Sequence, residues 1–263
     1  LFTLDPSTVT AGRTLSVLCE SDTPLKNATL YFNDRKARFF PLSERESRAR
    51  LGVNSLEPAG PKRAAFYAEL PRGRVYQATV TFQVEPGTYP VSRVKLPADR
   101  DKLVASGQME RDAAALDRVY REPREEARLW SGVFVLPSTG VFSSVFGARR
   151  AYGAREKLNA HTGLDIANDV GTPIHAPNRG RAVFVGRLDS FGGTVVLDHG
   201  QGVFSYYLHM VETSVEPGSL VEPGARIGRM GAEGVATGPH LHWSFVVSGE
   251  RVDPAEWTER EFR

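Results

Sequence analysis

The sequence predicts a mainly β fold: an N-terminal β-sandwich, immunoglobulin-like in outline, a helical linker, and a C-terminal antiparallel β domain. Three observations carry this. Residues 1–96 alternate short β-rich runs with turn residues, residues 97–129 shift to Ala, Arg, Glu, Asp and Leu, and from Trp130 β-type runs return among many glycines and prolines. The 263 residues are long enough for roughly two domains. The expected division is therefore an accessory sandwich (1–96), a mostly helical linker (97–129) and a second β domain (130–263).

In the first region the candidate strands are Thr14 to Glu20, Ala28 to Phe32, Ala64 to Leu70 and Arg74 to Val84. In the last of these, Val75, Gln77, Thr79, Thr81 and Gln83 oppose Tyr76, Ala78, Val80, Phe82 and Val84, so one face is wet and the other packs. Several strands at short spacing suggest a sandwich, without an inter-sheet disulfide because Cys19 is alone. In T-L-S-V-L-C-E that cysteine reads as a small buried strand residue, and Leu18 before it argues against lipid modification. No residue set in this region looks catalytic. In the linker, Leu116, Val119 and Tyr120 fall at helical spacing, the charge reads as a solvated face, and Pro123 interrupts or restarts the helix. Beyond Trp130 the candidate strands include Arg181 to Arg187, Gly193 to Asp198, Gly202 to His209 and Arg226 to Met230. Pro177-Asn178, Pro217-Gly218 and Pro223-Gly224 mark the turns.

A formal charge of +2 gives no basis for nucleic-acid binding, and no basic run is interleaved with stacking aromatics. No apolar run approaches the roughly 18 residues of a membrane span, so no integral membrane segment is expected in these residues. L-F-T-L-D-P lacks the layout of a signal peptide. Because the chain begins without Met, that lack does not place the protein in the cytoplasm.

The chemistry concentrates in the third region, which holds all six histidines: His161, His175, His199, His209, His240 and His242. In G-P-H-L-H-W-S-F-V-V, an extended strand puts His240, His242, Ser244 and Val246 on one face and Leu241, Trp243, Phe245 and Val247 on the other. The apolar face suits a core. The opposite face carries two imidazoles about 6.5 to 7 Å apart at the backbone, close enough to reach one metal ion or its bound water. An arbitrary His-x-His pair is more often chance, but the clustering of the remaining histidines lowers that prior. His161 lies in N-A-H-T-G-L-D-I-A, with Asp165 four residues on. Gly163 and the β-branched neighbours disfavour a helix, and in an extended strand the two would stand about 13 Å apart, so the backbone must bend at Gly163 for both to bind one ion. His, Asp and one member of the His-x-His pair make three N/O ligands, the complement of a catalytic zinc with its fourth position open to water.

Three motifs in order, H-T-G-L-D-I-A at His161, Y-Y-L-H-M around His209 and G-P-H-L-H-W at His240, resemble the lysostaphin/LytM-type zinc metallopeptidases of the M23 family, which cut peptidoglycan peptides. F-G-A-R-R at Phe146, G-T-P-I-H-A-P at Gly171, F-G-G-T-V-V-L-D-H-G at Phe191 and V-E-P-G-A-R-I-G at Val221 support it, and the resemblance covers roughly Val133 to Pro254. It implies that residues 130–263 are an M23-type zinc peptidase domain of LytM-type antiparallel sheet. It implies that His161, Asp165 and His242 hold one catalytic Zn2+, and that His209 and His240 form a catalytic pair off the metal. It further implies an endopeptidase that hydrolyses cross-links or stem peptides of bacterial peptidoglycan with metal-activated water. Such an enzyme acts outside the cytoplasm, in the periplasm or cell envelope or as a secreted protein. His209 is expected to share a strand face with Ser205 and Tyr207. There is no H-E-x-x-H glutamate, so a histidine takes the water proton or steadies the oxyanion, and the sequence does not divide these tasks between His209 and His240. Nor does it choose between glycine bridges and D-amino-acid cross-links; the groove loops Arg149 to Asn159 and Leu188 to Gly193 would decide.

The remaining candidates have plainer readings. His199, in L-D-H-G, serves a turn through hydrogen bonds; His175 packs or touches the rim; Ser244 lines the cleft or is a satisfied strand serine. Asn159 and Tyr152 shape the approach to His161 without an assigned role. No G-x-S-x-G elbow supports serine hydrolysis. Two rivals stand beside the peptidase. One is a carbonic-anhydrase-like site with His209 as third ligand and Asp165 idle. The other is a non-catalytic LytM-fold module that binds cell wall or regulates another murein hydrolase. The front region would cover the cleft or target the wall, and a chain beginning near Trp130 is expected to fold and keep zinc.

Overall fold

The computed structural model describes residues 1–121, 127–152 and 158–262. The fold is mainly β, as expected. It forms two compact units, Leu1–Thr88 with Val246–Val252, and Tyr89–Phe245 with Asp253–Arg263. Among the described residues no helix is long and apolar enough to cross a membrane.

The first unit holds two sheets around one core. A four-stranded sheet runs in the order Phe2–Asp5, Thr14–Glu20, Glu46–Gly52, Phe40–Pro41, and a five-stranded sheet runs Thr8–Thr10, Val75–Glu85, Gly60–Glu69, Lys26–Phe32, Arg35–Arg38. Leu15, Val17, Ala49 and Leu51 of the first meet Leu30, Phe66, Val80 and Phe82 of the second in a single buried cluster. Period-2 patterning produces this directly: along Val75–Glu85, Val80, Phe82 and Val84 are buried while Thr79, Thr81 and Gln83 are exposed. Cys19 is buried in the same cluster, and burial pushes its thiol pKa up.

The second unit is built on a large sheet whose main path runs Val141–Ser144, Leu164–Ala167, His240–Val247, Val203–Thr213, Gly192–Gly200, Gly180–Leu188, Leu220–Val221. The pairs at its centre are antiparallel. A smaller sheet joins Val91–Val94 in parallel to Arg149–Tyr152, which then pairs with Asn159–Ala160. Every residue of Gly192–Gly200 is buried, so this strand is covered on both faces. One covering cluster is aromatic. Trp257, in helix Pro254–Glu259, lies 5.5 Å from Phe134 and 5.2 Å from Phe245, and Trp130 Nε1–H donates to Phe262 O at 3.0 Å.

Helices cover another part of the same sheet, and here the structure departs from the expected linker. Residues 97–129 do hold two helices, Ala98–Ala105 and Gln108–Arg121, but both belong to the second compact unit, whose boundary falls at Thr88/Tyr89 rather than at 96 and 129. The restart expected at Pro123 lies outside the described residues. The charge of Gln108–Arg121 is not all solvated: its buried stripe is Asp112, Leu116 and Tyr120, four residues apart. Tyr120 lies 6.5 Å from Phe204 and 6.4 Å from Tyr206, both buried. A pattern search that counts only apolar residues reads past the stripe because its first member is a carboxylate.

His199 also departs from its expected turn. It lies inside strand Gly192–Gly200, fully buried, with Nδ1–H donating to Arg179 O at 2.7 Å and Nε2 accepting from Ser205 Oγ at 2.7 Å. The Ser205 hydroxyl is in turn 2.7 Å from Tyr207 Oη. Phe134 meets the imidazole edge-on at 4.9 Å. Burial lowers its pKa to about 4.

Two outcomes are expected. A chain beginning near Trp130 should be less stable than one beginning at Tyr89 by on the order of 3 kcal/mol, the worth of re-exposing the Leu116 and Tyr120 contact; equal urea midpoints would show that this packing is dispensable. Second, because native His199 stays neutral down to about pH 4 while the unfolded imidazole takes a proton below about pH 6.5, its stabilising contribution is complete above that value and declines as pH falls. The decline should reach roughly 3 kcal/mol across the window. Urea titrations of zinc-free protein at pH 7, 6 and 5 should show a shallower pH dependence in His199→Gln than in the parent, and parallel slopes would contradict it.

Candidate metal centre

Register is what brings the first two candidate ligands together. Leu164–Ala167 pairs antiparallel with His240–Val247 so that Asp165 stands directly opposite His242 and Ala167 opposite His240. Directly opposed residues share a face with their Cβ atoms about 5 Å apart. His161 joins from the bend that precedes the strand. The expected role of Gly163 was backbone relaxation; its observed role is close approach, since a Cβ there would lie 2.4 Å from Trp243 O and 2.8 Å from His242 Nε2. Three donor atoms converge as a result. His161 Nε2 is 3.0 Å from Asp165 Oδ1 and 3.0 Å from His242 Nδ1, and His242 Nδ1 is 2.8 Å from Asp165 Oδ1. All three residues are buried.

Each donor is oriented from behind. His161 Nδ1–H donates to Val145 O at 2.8 Å, which leaves the Nε2 lone pair inward. His242 Nε2–H donates to Ser244 Oγ at 2.8 Å, which leaves Nδ1 inward. The second carboxylate oxygen of Asp165 accepts Arg150 Nη2–H at 2.6 Å in a largely buried ion pair. Burial by itself would raise the Asp165 pKa, but hydrogen bonding and charge from His161 and His242 hold it well below the ordinary carboxylate range. Burial lowers His242 to about 4, against the opposing pull of Asp165. Three lone pairs thus face one another at 2.8–3.0 Å in low dielectric, an arrangement that calls for a cation.

His209 and His240 stand beside this focus. Their rings are 4.7 Å apart, His209 is 6.1 Å from the His242 ring, and His240 Nε2 is 3.8 Å from Asp165 Oδ1. His240 follows from strand alternation with His242. His209 does not, and the expectation that it shares a face with Ser205 and Tyr207 is overturned. Between the pairs Val195↔Tyr207 and Gly193↔Met210, Leu208 and His209 together oppose Thr194 alone: a β-bulge with His209 at φ +65°. The extra residue inverts the parity, turning His209 toward the histidine cluster while Ser205 and Tyr207 turn toward His199. Both imidazoles are tethered alike. His209 Nδ1–H donates to Glu233 O at 2.6 Å and His240 Nδ1–H to Gly238 O at 2.9 Å, so both present a bare Nε2. Burial first, then the charges of His240 and His242, push His209 down to about 3.

All five sequence-derived site residues therefore gather in one place. A carbonic-anhydrase-like set is not what forms: among the described residues the donor atoms that converge are those of His161, Asp165 and His242, with Asp165 at the focus. His175 pairs across to Arg226 and is not a member of the cluster. Ser244, weighed between two roles, orients His242. Arg150 was missed; its signal was the second arginine of F-G-A-R-R, but nothing local ties it to a residue 15 positions on. The groove loop from Arg149 to Asn159 lies in part outside the described residues.

The segment that carries these residues is similar to known proteins. The family model described as Peptidase family M23 matches residues 159–254. The chain is 36% identical over 111 residues to the peptidoglycan DD-endopeptidase ShyA of Vibrio cholerae, covering 42% of this chain and 26% of that protein. It is 38% identical over 112 residues to the DD-carboxypeptidase/endopeptidase Mpg of Neisseria meningitidis, covering 43% and 26%. The chain thus spans about a quarter of the length of these curated relatives. A crystal structure of a candidate M23 peptidase from Pseudomonas aeruginosa superposes with a TM-score of 0.66 at 26% identity, covering 92% of each chain. With its motifs in order and its donor atoms converged, the chain carries at residues 159–254 a segment that matches the model of peptidase family M23.

Proposed function

We propose that this chain is a zinc-dependent endopeptidase that hydrolyses peptide cross-links or stem peptides of bacterial peptidoglycan, outside the cytoplasmic membrane. The observation that carries the reading is the meeting of His161 Nε2, Asp165 Oδ1 and His242 Nδ1 within 3.0 Å of one another. Two imidazole nitrogens and one carboxylate oxygen suit zinc rather than the oxygen-seeking Ca2+ or Mg2+, and three protein ligands are the complement of a catalytic site. When bound there, zinc supplies a water acidified toward neutral pH and a Lewis acid for the scissile carbonyl.

The chain's own groups have distinct tasks around that focus. Val145 O and Ser244 Oγ fix the two ligand imidazoles, and Arg150 occupies Asp165 Oδ2 so that Oδ1 is presented alone. His209 and His240, each with Nδ1–H given to a carbonyl, offer Nε2 to take a proton from water and to return it to the departing amine. The similarity to proteins named as DD-endopeptidases supports D-amino-acid cross-links over glycine bridges as the target.

The reading is tested by zinc content, measured by mass spectrometry, together with a digest of purified cell walls of both cross-link types with products identified by mass. Wild-type chain should hold one zinc and release peptides, with chelation abolishing release. His242→Ala should lose the metal. His209→Ala and His240→Ala should keep it and lose turnover, and full activity in either would remove that residue from the mechanism. A zinc-loaded chain that binds wall yet never cleaves it would support a non-catalytic module instead. Arg150→Gln should weaken zinc binding roughly 10- to 100-fold in competition with a chromophoric chelator, and unchanged affinity would deny it the orienting role.

A further inference from the structure

Helix Gln108–Arg121 precedes the family-matched residues 159–254, yet it carries a carboxylate that reaches the loop beside His209. Asp112 is 6% exposed; its Oδ2 accepts the backbone N–H of Ser190 at 2.8 Å, and its Oδ1 accepts Gln108 Nε2–H at 2.8 Å. The next residue, Phe191, accepts the backbone N–H of His209 at its carbonyl, at 2.7 Å. Ser190 O accepts Val235 N–H at 2.8 Å, and so ties this loop to the one whose Glu233 carbonyl takes His209 Nδ1–H at 2.6 Å. Gly193 N–H adds a bond to Glu233 Oε2 at 3.2 Å. The two loops touch at the backbone: a Cβ on Gly234 would lie 2.2 Å from Ser190 O.

These bonds bear on His209 because its φ of +65° is one that a side-chain-bearing residue keeps only where its surroundings over-determine it. Two carbonyls supply that determination, and both belong to loops joined through Ser190. We infer that Asp112 is a positioning residue for His209: by holding the Ser190 amide it fixes the Phe191 and Glu233 carbonyls that set the backbone and the ring of the histidine. A position needed only for packing on this helix face would be apolar, as Leu116 is. A buried carboxylate that accepts from a main-chain N–H and a side-chain amide is instead a directional contact, whose burial is costly unless those bonds are made. The functional consequence rests on the reading that His209 moves a proton in peptide hydrolysis.

The test uses the full chain, zinc-loaded, with Asp112→Ala and with Asp112→Asn, which keeps an acceptor for Ser190 N–H. Peptide release from purified cell wall is measured for kcat and KM separately. The His209 Nδ1–H signal is followed in nitrogen-15 spectra. Asp112→Ala should lower kcat about tenfold with KM and zinc content unchanged, and should shift or broaden the His209 signal, since misplacements of an ångström carry such penalties. Asp112→Asn should restore both. An Asp112→Ala chain with parental kcat and an unchanged His209 signal overturns the inference. So does a loss that Asp112→Asn fails to repair, or one accompanied by loss of zinc. Should the parent chain release no peptide, the peptidase reading fails, while the His209 signal still decides the role of Asp112.

Discussion

The pairing of Leu164–Ala167 with His240–Val247 is the constraint on which the site depends. It sets Asp165 against His242 and so places a carboxylate and an imidazole on one face of one sheet. Side chains alternate with a period of two, so a slip of one residue in this register would send either partner to the opposite face and its apolar neighbours to the site. The core guards against that slip. Leu241, Trp243 and Phe245 are all fully buried on the other face, and exposing them would cost several kcal/mol. The geometry of the candidate ligands is thus held by hydrophobic burial on the reverse side of the strand that carries His242. Gly163 completes the arrangement, because the chain bearing His161 passes too close to Trp243 and His242 for any larger residue.

His209 shows a different solution to the same problem. Its strand neighbours Ser205 and Tyr207 are committed to a buried polar chain that ends on His199, so simple alternation would have directed it away from the cluster. A single extra residue in the strand reverses its direction, at the cost of a left-handed backbone at a residue with a Cβ. Bonds from two loops to its amide and ring hold that conformation.

Three buried histidines of this unit share a lowered pKa and differ in what their nitrogens face. His199 gives one proton to a carbonyl and accepts another from a serine, which leaves no lone pair for chemistry. His242 turns a lone pair to the carboxylate and the second imidazole. His209 gives its proton to a carbonyl and keeps Nε2 bare beside His240. Burial keeps all three neutral near pH 7, and hydrogen-bond partners then distinguish a structural histidine, a candidate ligand and a candidate base.

By itself the sequence determined the class of the fold and the strand carrying His240 and His242 with its apolar reverse face, and it named the five candidate residues that the packed chain gathers. These follow from local periodicity and from motifs in which the chemistry needs particular residue types at short spacing. The tertiary structure decided what local pattern does not encode. It set the inversion of His209, whose bulge depends on a partner strand. It placed Arg150 on Asp165 and made Gly163 a contact position rather than a flexible one. It also turned an expected linker helix into part of the second unit, because the stripe of Asp112, Leu116 and Tyr120 makes sense only against the sheet and the loop that receive it. Periodicity reports which face of an element is buried; only the packed chain reports against what, since the partners lie tens of residues away and are chosen by shape, register and the need to satisfy every buried polar group.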